Sequence, residues 1–519
     1  MKKIIPIFLA VCCSAPLYAA QPRLVVQLVV GSMRAEDLDR YAANWSDGGF
    51  ARLMQDGTRY TDARYDFQQT STPVTLSTLS TGALPSTHGV ISERWQDYTS
   101  NRTVELTAGP KGPGAYHLIA PTLSETLLRH VPGSRAVTVA AEPTAAVMLA
   151  GRSKEAFWID PLTAGWTTSP YYAAELPEWI ARNNRERYNL SYLTSAWYPL
   201  YDAGRYLNAP QRDGAPESKS KKEKRQNALG RLDADSDYER LMHTPAGNTA
   251  VLGLAKQAIA QYGLGADATP DLLNISLDAA RRITERYGPE SVEAEDMYYR
   301  LDRDLKDFLT FLFAQVRGGE VLVVFTSDHG TSPSWDAGAE AGDRFNARQF
   351  EVIVNGFLNV RYGTGDWVLD YADKSLWLNH NLIYERGLDL ADVQNEVAVF
   401  AMQFGGVSHA LSATAMRSSY FGSGYARRMQ NSFYPRRSGD VVLNLMPGWI
   451  VQDERRSSSG SLYGYDTQVP LIFCGTGAGP AQVRRRVEMT SVAPTLARLM
   501  EFSEPAASEG EVLPEIVDL

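Results

Sequence analysis

Cysteine is nearly absent from this chain. Of 519 residues three are Cys, and two of them, Cys12 and Cys13, fall in the first twenty. If that segment is removed, Cys474 stands alone and no internal disulfide can form. Cys474 ends Pro470-Leu-Ile-Phe-Cys474, a buried-strand pattern, and reads as an inert core thiol. Histidine is scarce too, at seven residues, and His117, His130, His243, His380 and His409 are scattered without metal-ligand spacing. There is no excess of positive charge. With 51 Lys and Arg against 60 Asp and Glu, the net charge of −9 argues against nucleic acid as a partner. The single basic run, Lys219 to Arg225, has acidic residues around it and reads as a solvated loop. Beyond the N-terminus no apolar stretch is long enough for a membrane span.

The first twenty residues have a different character. Lys2 and Lys3 precede a short apolar stretch from Ile4 to Cys13, and Leu17-Tyr-Ala-Ala20 offers small residues for cleavage near Ala19 or Ala20. This is the pattern of a secretory signal peptide, and it implies a periplasmic or secreted protein. Leu9-Ala-Val-Cys12 is close to a lipoprotein box, but Val11 fits poorly before Cys12. Removing Lys2 and Lys3 would take the net charge from −9 to −11.

The remaining chain, 21–519, alternates strand and helix patterns. Strands are expected at Leu24–Val30, Arg135–Ala141, Leu272–Leu277 and from Val321 over five apolar residues, and helices at Ala35–Gln55, Ala120–His130, Thr249–Tyr262 and Ser291–Val316. Such alternation predicts an α/β fold, a mostly parallel, doubly wound sheet flanked by helices. Thr72–Leu79 is hydroxyl-rich and reads as a loop. Two stretches interrupt the alternation. Residues about 150–245, rich in Tyr, Trp, Asn and Pro, suggest a loop-rich cap, whose aromatics read as packing rather than as a stacking platform for a ligand. Residues about 345–420 suggest a small α+β insertion with strands at Phe350–Val354 and Leu358–Arg361. The core sheet is expected to resume at Val441–Leu445 and Val469–Cys474. The acidic tail from Ser503 is expected to be loosely ordered.

The most informative segment is Val321-Leu-Val-Val-Phe-Thr-Ser-Asp-His-Gly330. Asp328 and His329 stand at the carboxyl end of a buried parallel strand, where open α/β sheets place their ligands. A carboxylate beside an imidazole there is a pair of candidate metal ligands.

With Val29-Val-Gly-Ser-Met-Arg34, Ser80-Thr-Gly-Ala-Leu-Pro-Ser-Thr-His-Gly89, Trp197-Tyr-Pro-Leu-Tyr201, Thr326-Ser-Asp-His-Gly330, Arg437-Ser-Gly-Asp440 and Tyr465-Asp-Thr-Gln-Val-Pro470, the chain resembles the alkaline phosphatase superfamily. Within it, the likeness is to monomeric phosphate-irrepressible bacterial phosphatases and to nucleotide pyrophosphatase/phosphodiesterases. The resemblance implies an alkaline-phosphatase-like sheet and a site of two zinc ions about 4 Å apart. These would be held by six Asp and His ligands and a Thr or Ser nucleophile.

Matched residue by residue, most of that set is missing. The nucleophile position is Thr72, and Asp328 and His329 are retained. The first Asp is replaced by Gly31, the next Asp and His by Arg281 and Glu285, and the last His by Gln468. Arg281 has no lone pair to give a metal. Asp278 would take its role only after a shift of three residues. The family's phosphate-binding Asn falls near Ser92 or Glu93, and its Lys-x-Arg clamp on Glu142-Pro-Thr144, so the substrate-binding positions carry no cation. His88 reads as a structural hydrogen-bonder and Asp440 as the brace of a strand start. Arg281 either replaces lost metal charge by bridging Asp328 or Glu285, or is a solvated helix residue.

The expectation is therefore an exported, non-catalytic pseudoenzyme with a binding or accessory role. No cofactor is expected beyond at most one weakly bound zinc, and the partner would be an unidentified small molecule or protein. The alternative is a hydrolase of phosphate esters using Thr72 as nucleophile with one residual metal. A sulfatase is disfavoured because the formylglycine motif is lacking.

Overall fold

Leu24–Val30, Asp271–Leu277 and Val321–Ser327 are buried at every residue in the computed structural model. Strands covered on both faces must be apolar throughout rather than alternating, and these three largely are. Leu24–Val30 lies between the other two and is parallel to both. Ala136–Ala140 and Glu155–Ile159 extend the parallel run beyond Asp271–Leu277. On the other side Gln468–Gly475 is antiparallel to Val321–Ser327, and Thr58–Arg64 and Ala481–Glu488 complete that edge. With Trp166–Thr167 the sheet has nine strands. One face packs on the helices Ala246–Tyr262 and Val292–Gln315, and the other on Thr72–Thr81, Pro143–Ala150 and Val492–Leu499. This is the mostly parallel, doubly wound α/β architecture expected from the sequence.

The structure describes residues 21–193, 196–208, 229, 236–316, 320–335, 342–452 and 455–517. The signal-peptide reading, with Cys12, Ala19 and Ala20, and the Lys219–Arg225 run lie outside the described residues. No helix among the described residues is long and apolar enough to cross a membrane.

Several elements differ from the sequence reading. Phe350–Val354 and Leu358–Arg361 are not strands but parts of one helix, Ala347–Tyr362. Asn346 caps it by accepting from the Gln349 N–H, and Phe350, Val354 and Leu358 are buried at a four-residue spacing. The β-branched residues that suggested strands, Val352 and Val360, are on its exposed side. Val441–Leu445 belongs not to the main sheet but to a separate four-stranded one. Its order is Val368–Ala372, Ser375–Leu378, Val441–Leu445, Val407–Ser412, and it has its own apolar core. Ala35–Gln55 is two short helices, Asp37–Arg40 and Phe50–Asp56, joined by a 3-10 turn. The tail is anchored rather than loose. Leu513 and Ile516 are buried, and the Glu509 carboxylate accepts from the Leu84 N–H and the Thr87 hydroxyl.

Thr72–Thr81 is a wholly buried helix rather than a loop. Hydroxyl groups are tolerated there because they bond back along the helix. Thr75 donates to the Ser71 carbonyl, Ser77 to Pro73 and Thr81 to Ser77. Gly82, at φ +70°, closes its C-terminus in the left-handed conformation. This helix fixes Thr72 as its first residue.

Candidate functional site

Four strand ends converge on one cleft. Gly31 and Ser32 follow the first strand, Asp328 and His329 follow Val321–Ser327, and Asp278 follows Asp271–Leu277 and opens the helix Ala279–Tyr287. Glu142 follows Ala136–Ala140. The cleft encloses about 850 Å³, and Thr72, His329, Arg281, Glu93 and Lys374 are among its lining residues.

Thr72, Asp328 and His329 are brought together and buried. The Thr72 hydroxyl donates to Asp328 Oδ2 at 2.7 Å and lies 3.3 Å from His329 Nε2. His329 Nδ1 is 2.6 Å from the Gly330 carbonyl, which can only accept. That nitrogen therefore carries a proton, and Nε2 lies between the Thr72 hydroxyl and Asp328 Oδ2, 3.4 Å from the latter. Asp328 is already well supplied with donors. Its Oδ1 accepts from the Ser32 N–H at 2.8 Å and the His329 N–H at 2.7 Å. Ser32 makes this contact from a left-handed backbone, φ 57°.

Arg281 and Glu285 stand one turn apart on the following helix and pair at 3.2 Å. Arg281 also pairs with Glu142, which holds Arg282 Nε at 2.6 Å on its other oxygen. Of the two expected bridges, then, the one to Glu285 forms, and the other carboxylate is Glu142 rather than Asp328. Burial pushes the Glu142 carboxyl up, but Arg281 and Arg282 outweigh it and hold it below the usual carboxylate range. Burial would also lower the Arg281 guanidinium, yet Glu142 and then Glu285 keep it firmly charged. The side chains of Arg281 and Glu142 are 11% and 9% exposed, so Arg281 is not a solvated helix residue. Packing here is close: a Cβ added at Gly31 would lie 2.7 Å from the Arg281 Cβ.

Gln468 is not among the residues lining this cleft. Its amide donates to the Thr61 carbonyl at 3.0 Å and accepts from Arg64 at 3.2 Å, and it borders a separate surface depression. Asp278 is a structural tie. It accepts from the Ala141 and Glu142 N–H groups and from the Ser276 hydroxyl, and burial beside Glu142 pushes its carboxyl up to about 7. His88 bonds Thr78 at 3.0 Å and the Val90 N–H at 3.1 Å, as a structural histidine would. Asp440 ties its strand start to the Leu378 N–H and His380. Glu93 lines the cleft, and burial pushes its carboxyl up.

Two buried groups beside the site were not anticipated. Asp466, two residues before Gln468, accepts from the Ser461 N–H at 2.8 Å through Oδ2, while its Oδ1 has no hydrogen-bond partner. Burial raises this carboxyl to about 6, against the opposing pull of Ser461, Lys374 and His329. Lys374 comes from the four-stranded sheet, in the turn between Val368–Ala372 and Ser375–Leu378. Asp373 and Lys374 form that turn with φ 44° and 63°. Two-residue turns of this kind favour Asn-Gly, and each side-chain-bearing residue there costs about 1–3 kcal/mol. The only available signal was a charged pair between two short strands. It could not show that the hairpin reaches the main cleft.

Among the described residues, no group of three or more His, Cys, Asp or Glu side chains is arranged to hold a metal.

The family model described as type I phosphodiesterase / nucleotide pyrophosphatase matches residues 25–466. A protein named calcium-transporting ATPase from Myroides odoratus is 29% identical, over 96% of this chain and 95% of that one. Alkaline phosphatase PafA of Elizabethkingia meningoseptica is 27% identical over 96% of this chain and 95% of its own length. The crystal structure of wild type alkaline phosphatase PafA superposes with a TM-score of 0.87 at 26% identity, covering 96% of this chain and 99% of that one.

Proposed function

Because the chain belongs to the type I phosphodiesterase / nucleotide pyrophosphatase family, within the alkaline phosphatase superfamily, we propose that it is a pseudoenzyme whose cleft binds a ligand without two-zinc hydrolysis. One observation carries the reading. The guanidinium of Arg281, at a position where the resemblance implies a metal-binding Asp, is tied into an ion-pair network with Glu142 and Glu285, and its Cβ and backbone crowd Gly31, where the resemblance implies another such carboxylate. The residues present do not fit a pair of zinc ions. Arg281 cannot ligate, Glu285 is committed to Arg281, Gln468 bonds outside the cleft, and Asp328 is bound to backbone donors. Arg281 supplies fixed positive charge instead, between Glu142 and Glu285. The signal-peptide pattern of the first twenty residues further supports export to the periplasm or beyond.

A second reading rests on Thr72, Asp328 and His329, which do converge. In it, these three hold one metal and hydrolyse phosphate esters weakly. The two readings separate in an assay of 4-nitrophenyl phosphate hydrolysis with added zinc, comparing the wild type with Thr72→Ala. The pseudoenzyme reading expects no turnover above background in either. Turnover that vanishes with Thr72→Ala and with chelator would establish the second reading and overturn the first.

A further inference from the structure

We propose that the ε-amine of Lys374 is a nucleophile that forms an imine with an aldehyde or ketone entering the cleft. The inference rests on the proposed reading of the cleft as a zinc-free binding site, and it names the class of ligand.

Lys374 lines the cleft with Thr72 and His329 and is 6% exposed. Its nitrogen donates to the Ser459 carbonyl, a contact that an uncharged amine makes as well as an ammonium does. Among the described residues it forms no ion pair, whereas a buried ammonium with a purely structural role is paired with a carboxylate. Burial lowers its pKa, Arg455 lowers it further, and Asp466 and Asp373 do not offset them. The remaining charges that line the cleft are matched in number, Arg281, Arg282 and Arg286 against Glu93, Glu239 and Glu285. A lysine so placed keeps a lone pair for attack on a carbonyl carbon.

The backbone holds this side chain against its own preference. Asp373 and Lys374 are both left-handed, φ 44° and 63°, in a two-residue turn where glycine would be unstrained. A Cβ at Gly460, φ +86°, would come within 2.7 Å of Nζ, so another residue there would displace the nitrogen. The Gly460 N–H is fixed in turn by the Thr70 hydroxyl at 3.0 Å, two residues before Thr72.

The step balances without metal or oxidant. The amine nitrogen bonds the carbonyl carbon, and one amine proton passes to the carbonyl oxygen. That hydroxyl then leaves with the second amine proton as water, and the carbon–nitrogen double bond of the imine remains.

The test is reductive alkylation of the full chain with propanal and cyanoborohydride near neutral pH, followed by peptide mapping with mass spectrometry. Cyanoborohydride reduces the imine to a stable secondary amine and so marks the lysine that formed it. Lys374 should be alkylated severalfold faster than the exposed Lys111 and Lys154. Between pH 6 and pH 9 the rate at Lys111 should climb steeply and that at Lys374 much less, because an amine already free gains nothing from the rise. Lys374→Arg, which keeps a donor for Ser459, should remove the fast site and leave the rates at Lys111 and Lys154 unchanged. An unmodified Lys374 beside alkylated Lys111 and Lys154, or parallel pH profiles, would overturn the proposal and make Lys374 a structural tie. Zinc content measured on the same preparation keeps the two ideas apart. Two bound zinc ions with turnover would defeat the pseudoenzyme reading, whereas a zinc-free chain whose Lys374 does not react defeats only this inference.

Discussion

Replacing Arg281 with Met keeps the aliphatic stem and removes the charge, which leaves two carboxylates beside the cleft without their shared partner. The side chains of Glu142 and Glu285 are 9% and 13% exposed. Removing one member of a buried ion pair costs about 3–5 kcal/mol. Glu142 keeps Arg282 at 2.6 Å, though that side chain is 39% exposed. The expected loss is accordingly lower, about 2–3 kcal/mol near pH 7, after discounting for the remaining pair and for solvent screening. Urea titration of both proteins measures it directly. The pH dependence has a definite sign. Burial pushes the Glu142 carboxyl up and Arg281 and Arg282 pull it further down, so its folded value lies below the ordinary 4.5. Such a group stabilises the fold above its unfolded pKa, and the contribution is lost as pH falls through the folded value. The penalty of Arg281→Met should thus be full at neutral pH and shrink toward pH 4. Adding Glu142→Gln to the variant should recover at least half of it. A loss below about 0.5 kcal/mol, typical of an exposed substitution, or the same loss at both pH values, would refute the reasoning.

Gly31→Ala should destabilise by about 1–3 kcal/mol, as overpacking does, because its Cβ would lie 2.7 Å from the Arg281 Cβ; a urea midpoint equal to wild type would contradict that packing. Asp278 and Asp466, raised by burial to about 7 and about 6, favour the fold while protonated, so their contribution is present below the unfolded pKa and lost as pH rises through those values. Asp278→Asn and Asp466→Asn should each flatten the decline in stability between pH 5 and pH 8, read by thermal unfolding across that range. Cys474 is buried, and burial pushes its thiol up to about 11, so a disulfide reagent should label it only on unfolding. Labelling in native buffer at the rate of a free thiol would show that strand to be open.

The main sheet was legible because fully buried parallel strands are written as unbroken apolar runs, as in Leu24–Val30 and Val321–Ser327. Cys474 was placed correctly because its strand, though antiparallel, is also an unbroken buried run. The inserted sheet was not legible. The strand Val441–Leu445 has the same composition as a main-sheet strand, and only tertiary packing assigns it to the other core. Periodicity misled at Ala347–Tyr362, where exposed Val352 and Val360 give β-like composition on a helical spacing. It also misled at Thr72–Thr81, where hydroxyls bonding back to the backbone look polar in sequence and are buried in the fold. At the site, Thr72, Asp328, His329, Arg281 and Glu285 are together in the structure. The Glu142 partner of Arg281 is 139 residues away in sequence, and no local pattern could pair them. Lys374 reaches the cleft only because the inserted sheet docks on the main one.

The proposed replacement of a two-zinc site by a fixed network of charged side chains makes the metal content of the chain decisive. The most direct test is the zinc content of the purified chain after exposure to zinc and exhaustive dialysis, measured by elemental analysis. Well under one zinc ion per chain is expected. Two per chain would contradict it and make the protein a metal-dependent member of its family.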